Sequence, residues 1–174
     1  AHKAALAASL KNQAENLMIV DLMRNDLAHS CMAGSVRTEG LFDISSFSHV
    51  HHMASTVTGQ KSPCLSASEV IRDCFPPGSM TGAPKIKAVD LCHQLEKLAR
   101  GPYSGAIGWL AGNESFEFSV VIRTLLLQGS RFEFQVGGGI VADSTPDSEW
   151  RESLDKAMGI ASALGISREL LESL

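Results

Sequence analysis

Two segments in the second half of the chain carry apolar side chains on both faces of an expected β-strand. They are "AIGWL" (106–110) and "VVIRTLLL" (120–127), and neither alternates apolar with polar residues as a half-exposed strand does. Strands of this kind belong to sheets that are covered on both sides. The fold must therefore bury these strands, either under helices of this chain or under another polypeptide segment.

Helical signals flank the strand-like region. Apolar residues at helical spacing predict one long helix from about Ala4 to Leu27, and the capping box in "SASE" (66–69) begins a short helix. Another helix is expected from Pro84 to near residue 100, and the last begins at Pro146 behind a Thr145 cap.

The strand-like runs lie between these helices and are separated by turn residues. They cover residues 41–44, 48–59, 103–111, 116–127 and 131–142. The last three predict an antiparallel meander, in which Arg123 lies opposite the face that carries Phe116 and Phe118. The expected fold is α+β, an antiparallel sheet covered by helices in one globular domain.

Charge, apolar runs and cysteines exclude several classes of function. A formal net charge of −4 gives no basic footprint for nucleic acid, and no apolar run reaches the roughly 18 residues that span a bilayer. The four cysteines (Cys31, Cys64, Cys74 and Cys92) show no C-x-x-C spacing, so neither a zinc site nor a redox pair is indicated. Free thiols in a reducing cytosol, and hence a cytoplasmic protein, are expected.

The loop "PPGSMTGAPKIKAVD" (76–90) is not a phosphate loop. Such a loop has four residues between its glycines and ends in Gly-Lys-Ser/Thr. Here three residues separate Gly78 from Gly82, and Ala-Pro precedes Lys85. Pro84 also removes a backbone N–H that a phosphate cradle would use.

Two acids and a lysine share one face of the last helix. Glu149 and Glu152 are three residues apart, and Lys156 follows one turn later. The favoured interpretation from spacing alone is a solvated face with a Glu–Lys pair. The alternative is a site for a hard cation and an anionic substrate, because Mg²⁺ takes one or two carboxylates and completes its shell with water and substrate.

The first helix carries acids among apolar residues. Glu15, at its polar edge, is the better candidate for a metal ligand. Structural pairing is favoured for Asp21, Arg24 and Asp26, with Asp21 expected to be buried and paired with Arg24 or Arg123.

Two further segments have open interpretations. "HVHH" (49–52) places His52 on the strand face opposite His49 and His51, and a single catalytic or hydrogen-bonding histidine is favoured over a metal site. Gly137–Gly139 fit either a bulge or a close approach of the backbone to an anion. Arg123 could bring a bidentate carboxylate donor to the same end of the sheet.

Six motifs in order along the chain resemble the chorismate-utilising enzymes. They are "ENLMIVDLMRNDL", "VHHMAS", "GSMTGAPKIKAVD", "GPYSGAIGWL", "IRTL" and "GGGIVADSTPDSEWRESLDKA". Asn16, Met23, Ser79 and Thr81 are similar to the aminodeoxychorismate synthase component I branch rather than to anthranilate synthase component I, which is the alternative within the family.

The resemblance implies roles for individual residues. Glu15 and Glu152 match carboxylates that hold Mg²⁺, with Glu149 acting through water, and Asn12 replaces an acid that some relatives carry. Thr81 and Lys85 belong to the signature loop of the family, and no chemical step is assigned to them. The resemblance places other residues near the substrate. His52 would lie at the leaving hydroxyl, and Lys156 would lie near the substrate on the closing helix. The residues at substrate carboxylates would be Tyr103, Arg123, Gly137, Gly138 and Gly139.

The resemblance also implies a larger enzyme. The intact protein would aminate chorismate to 4-amino-4-deoxychorismate, on the route to para-aminobenzoate and folate, with ammonia from a glutamine amidotransferase partner. Residues 1–174 match the C-terminal portion of the chorismate-binding domain, and the amination lysine of this branch lies N-terminal to it. Alone, the chain is expected to be inactive and to self-associate, to pair with the missing half or to be only marginally stable. A catalytically inactive ligand-binding module is the alternative of another class.

Overall fold

The expected first helix is interrupted at Ser9. The computed structural model describes residues 2–47 and 51–173, and its first helices are α1 (His2–Ala8) and α2 (Leu10–Ser30). Ser9 has an extended backbone, and its hydroxyl accepts hydrogen bonds from the backbone N–H and the side-chain amide of Asn12. The prediction of one helix from Ala4 was therefore wrong, because a serine that caps the following helix ends the preceding one.

The chain divides into two compact units. The first contains most of the chain up to Leu95 together with Leu110–Phe116, and the second contains Glu96–Trp109 and the chain from Glu117 onward. Each has its own buried apolar residues. In the first unit these are Val20, Leu22, Ala67 and Val70; in the second they are Val121, Leu154, Ala157 and Ala161.

The first unit packs α2 on a β-hairpin. Strands β1 (Arg37–Ser46) and β2 (His51–Thr58) pair antiparallel, with a bulge between Glu39 and Asp43. In β2 half-buried and exposed residues alternate, and Ser55 on the half-buried face donates a hydrogen bond of 2.5 Å to the Asn16 side-chain oxygen on α2. This bond joins the strand to the helix that carries Glu15.

Two further helices complete the first unit. α3 (Ala67–Cys74) begins at the predicted capping box, and α4 (Lys85–Leu95) follows a 3₁₀ turn at Gly78–Met80. The sequence predicted that α4 would reach residue 100, but it ends at Leu95. The Arg100 carbonyl accepts the Tyr103 backbone N–H in a turn and also the Gln135 side-chain amide, so it lies outside the helix.

The second unit contains short strands rather than a long meander. β3 (Ala106–Leu110) pairs with β4 (Phe116–Val120), and β5 (Leu126–Gln128) pairs with β6 (Arg131–Glu133). A Cβ at Gly108 would lie 2.0 Å from the Glu117 carbonyl oxygen, so the close pairing of β3 with β4 requires glycine at this position. Within the described residues β4 and β5 belong to separate two-stranded sheets.

The predicted strand through Arg123 was wrong because the backbone turns after Val120. The Ile122 N–H donates to the Val120 carbonyl, and Arg123 has a φ of 51°. Likewise, Gly137–Gly139 follow β6 in irregular backbone and do not close a strand. All five residues of β3 are exposed, so no described part of this chain covers that strand on both sides.

The fold class was predicted correctly. Helices and small antiparallel sheets make this an α+β chain, and the second unit ends with α5 (Pro146–Ala163) and α6 (Arg168–Glu172). α5 begins as predicted, with Thr145 as cap and proline in the first turn. This helix carries three of the predicted site residues: Glu149, Glu152 and Lys156.

Candidate active site

Glu149 is a buried carboxylate in the first turn of α5. It is 7% exposed, and its Oε1 accepts a hydrogen bond of 2.6 Å from the Ser144 hydroxyl. The same hydroxyl accepts the backbone N–H of Val141 at 3.1 Å. Ser144 therefore ties the acid to the segment that follows the three glycines, and the solvated-face interpretation was wrong for Glu149.

Lys156 links α5 to the glycine segment. Its ammonium lies 2.7 Å from Glu152 Oε1 and donates a hydrogen bond of 3.0 Å to the Gly137 carbonyl. The predicted Glu–Lys pair is present, and both side chains are partly exposed. One face of α5 thus presents a buried acid, a partly exposed acid and an ammonium.

Gly138 is the point on which these three groups converge. A Cβ placed there would lie 2.9 Å from Glu149 Oε2 and 4.0 Å from both Glu152 Oε1 and Lys156 Nζ. Any side chain would occupy the space that the charged groups surround. The glycine backbone lies close to the charged side chains of α5, and its predicted contact with a substrate anion stays a prediction.

Tyr103 lies beside the same backbone. A Cβ at Gly137 would be 3.0 Å from the Tyr103 hydroxyl. Burial raises the pKa of this phenol, and the nearby Arg100 guanidinium opposes that effect only in part. Tyr103 therefore stays protonated at neutral pH and can donate its O–H to an anion.

The other predicted residues are each described within their own unit. Arg123 is in the exposed turn after β4, with a left-handed backbone. In the first unit, Glu15 is partly exposed on α2 and lies 3.6 Å from Lys11. His52 is on the exposed face of β2, opposite the face that carries Ser55, and His49 lies outside the described residues. The roles assigned to these residues stay predictions.

The prediction that acids of α2 form ion pairs was confirmed, but the prediction that Asp21 is buried was wrong. Asp21 pairs with Arg24 at 3.3 Å, but its side chain is exposed. Asp26 is the buried acid, and it pairs with Lys85. Helical position explains the difference, since Asp26 falls on the face that also buries Leu22.

Beside Asn16, α2 and β2 enclose a groove of about 290 Å³. Its lining is mainly apolar, with Asn16, Ser55 and Thr56 as the polar contributors. Ser144 and the Asn16–Ser55 bond were missed from the sequence. For Ser144, the only signal was its place immediately before the cap of the helix that carries Glu149.

Residues 1–162 match the family of chorismate binding enzymes. The chain belongs to this family. It is 46% identical over 93% of its length to the chloroplastic aminodeoxychorismate synthase of Arabidopsis thaliana, covering 18% of that protein. It is 45% identical over 91% of its length to aminodeoxychorismate synthase component 1 of Escherichia coli, covering 35% of that protein.

Anthranilate synthases of the same family are also similar. Component 1 of Mycolicibacterium smegmatis is 40% identical over 96% of the chain, which covers 32% of that protein. The crystal structure of component I from Streptococcus pneumoniae matches 91% of the chain with a TM-score of 0.83 and 36% identity, and the chain covers 36% of it. The chain thus spans about a third or less of the length of these relatives.

Two features are absent from residues 2–47 and 51–173. No helix there is long and apolar enough to cross a membrane. Nor does the described part of the chain hold a group of three or more histidine, cysteine or acidic side chains arranged for a metal ion.

Proposed function

We propose that this chain is part of the large component of an aminodeoxychorismate synthase. The intact enzyme would replace the 4-hydroxyl of chorismate with an amino group from ammonia, giving 4-amino-4-deoxychorismate for para-aminobenzoate and folate synthesis. The 45–46% identity to aminodeoxychorismate synthases supports this branch of the family. The motifs "ENLMIVDLMRND" and "GSMTGAPK" support it as well.

The convergence of charged groups on Gly138 is the observation that carries the proposal. Two carboxylates and an ammonium around a bare backbone suit a hard cation together with an anionic substrate. The donor set fits Mg²⁺, which needs only one or two carboxylates when substrate oxygens and water complete its shell. Chorismate, with two carboxylates, is a substrate of this chemical kind.

Each acid has a distinct role in the proposal. The family resemblance assigns Mg²⁺ to Glu152 and Glu15, and Glu149 would act through water. Bound there, the ion would supply a Lewis acid for the ring carboxylate. The hydrogen bond from Ser144 fixes the direction of the Glu149 carboxylate before any ligand arrives.

Substrate contacts come from neutral and cationic groups. Tyr103 would donate its phenolic O–H, and Arg123 would present two parallel N–H donors to the enolpyruvyl carboxylate. Lys156 places a positive charge beside the backbone of Gly137, where a substrate carboxylate would be closed in. His52 would lie near the leaving hydroxyl, a role supported only by the family resemblance.

The complete reaction is assigned to the full-length protein and not to this chain. The chain spans about a third of component 1 of the Escherichia coli enzyme. The amination lysine of the branch is expected outside the chain, and ammonia would come from a glutamine amidotransferase subunit. The chain alone is therefore expected to be inactive.

Anthranilate synthase is the second candidate. The 40% identity to component 1 of Mycolicibacterium smegmatis favours it nearly as well. The two activities differ in the ring position that receives nitrogen. Identifying the amino product formed by the full-length protein from chorismate, ammonium and Mg²⁺ separates them: para amination supports the proposal, and ortho amination refutes it.

Matched substitutions test the acids. Glu152→Gln is expected to weaken Mg²⁺ binding by about 10- to 100-fold and to abolish Mg²⁺-dependent turnover, because the amide lacks the anionic charge. Asp155→Asn is the control, since Asp155 is on the same helix but pairs with Arg168. Glu15→Gln is compared with Asp21→Asn in the same way. Near-wild-type Mg²⁺ affinity in either glutamine variant would remove that acid from the metal site.

A further inference from the structure

A buried ion pair joins two motifs that are far apart in the sequence. Lys85 is the last residue of the "TGAPK" loop, and Asp26 lies in the "MRNDL" segment of α2. The Lys85 ammonium is 2.6 Å from the Asp26 carboxylate. The Asp26 side chain is 4% exposed and that of Lys85 is 17% exposed. Neither residue has a role in the proposed chemistry.

The loop is attached to α2 at a second point one turn away. Gly78 is buried, and a Cβ there would lie 2.4 Å from Leu22 Cδ2. Leu22 and Asp26 are four residues apart, so both contacts fall on one face of the helix. Two anchors along a helix fix both the position and the direction of the loop between them.

The arrangement of charges is not one that stabilises the helices themselves. Lys85 is the first residue of α4, where the helix dipole favours an acid, and the first turn of α4 contains none. Asp26 lies toward the carboxyl end of α2, where the dipole favours a base. Because apolar residues of similar size often replace buried ion pairs without loss of stability, stability alone does not explain the pair.

The neighbouring acid does not compete for the lysine. Asp73 on α3 accepts a hydrogen bond from Ser30, which is fully buried near the end of α2. Among the residues that the structure describes, Asp26 is the carboxylate that pairs with Lys85, through its Oδ2. An ammonium that pairs with one oxygen restricts the position of the loop on α2 more than an apolar contact does, because apolar surfaces can shift along each other.

The face of α2 that holds the loop also carries Glu15. Eleven residues separate Glu15 from Asp26, which is three helical turns or about 16 Å along the axis. We infer that the Asp26–Lys85 pair is a positioning device that holds the Gly78–Lys85 loop in register with the face of α2 that carries Glu15. The functional part of this inference rests on the proposed amination of chorismate.

The test separates positioning from stability. In the double variant Asp26→Leu/Lys85→Met no charge is left buried, and the melting temperature is expected to stay within a few degrees of the wild type. Amide exchange of Met80, Thr81 and Gly82, whose N–H groups donate within the loop, is expected to rise at least about 10-fold. Turnover of the full-length protein is expected to fall by a similar factor.

Two further variants complete the design. Asp21→Leu/Arg24→Met removes an exposed ion pair of the same helix and is expected to change neither loop exchange nor turnover. The reversed pair Asp26→Lys/Lys85→Asp keeps one ion pair and is expected to restore slow loop exchange.

Three results would overturn the inference: unchanged loop exchange in the apolar double variant, loss of its fold, or no recovery in the reversed pair. A wild-type protein without amination activity would instead overturn the proposed function. The exchange measurements would still decide whether the pair positions the loop.

Discussion

Substituting alanine for Gly138 tests the candidate site with the smallest possible change. The new methyl carbon would lie 2.9 Å from Glu149 Oε2, which is closer than the ordinary contact range of 3.4–4 Å. Gly138 does not have a positive φ, so alanine meets no backbone penalty there. Any effect must therefore come from the contact with the charged cluster.

The size of the effect follows from how firmly Glu149 is held. The carboxylate is 7% exposed and accepts the Ser144 hydroxyl at 2.6 Å, so it cannot move aside freely. Overpacking of this kind costs about 1–3 kcal/mol. For a chain of 174 residues each kcal/mol lowers the melting temperature by about 2–4 °C, which predicts a decrease of about 2–12 °C.

Ligand binding should suffer in parallel. Displacing a carboxylate that supports a metal site costs about 10- to 100-fold in metal affinity. We expect Gly138→Ala to weaken Mg²⁺ binding, measured by calorimetry with chorismate present, by at least the lower figure. The full-length protein should lose turnover by a similar factor.

The neighbouring glycines provide graded controls. A Cβ at Gly139 would meet no atom within 4 Å, so Gly139→Ala should leave melting temperature and Mg²⁺ affinity unchanged. Gly137→Ala meets only the Tyr103 hydroxyl, at 3.0 Å, and its smaller effect should disappear in a Tyr103→Phe background. Equal effects at Gly138 and Gly139 would refute the steric reasoning.

Two further predictions concern single side chains. Tyr103 is the only tyrosine in the sequence, so phenolate absorbance reports on it alone. Because burial raises the pKa of Tyr103, the midpoint of its pH titration should lie above 10. A midpoint at or below 10 would contradict the assigned burial. Stability that depends on the neutral phenol should be complete below pH 10 and lost as pH rises through the folded pKa, a loss that Tyr103→Phe should lack in denaturant unfolding. Arg123→Lys should impair chorismate use by the full-length protein strongly although the charge is kept, because an ammonium cannot present two parallel donors. Unchanged kcat/KM in Arg123→Lys would show that the guanidinium fork does not hold the carboxylate.

Local signals in the sequence predicted local structure. The capping box at Ser66 and the Thr145 cap before Pro146 were found from residue types alone, because each acts within one helical turn. The ordered motifs predicted the family, and the order of helices and strand-like runs predicted the α+β class. The predicted Glu152–Lys156 pair needed only the period of the helix.

Other elements depended on contacts that a sequence does not display. The break at Ser9, the turn after Val120 and the early end of α4 each depend on which hydrogen-bond partner the backbone finds. Apolar content could not locate them, since "FEFSVVIRTLLL" reads as one strand throughout.

The tertiary structure alone decided which charged groups are buried and what they meet. Asp21 and Asp26 look alike in the sequence, yet only Asp26 faces the packed side of α2 and reaches Lys85, 59 residues away. Glu149 looked like a solvated acid until Ser144 and Gly138 were found against it. Spacing along a helix determines which side chains share a face, but the segment that packs on that face determines which charges leave water.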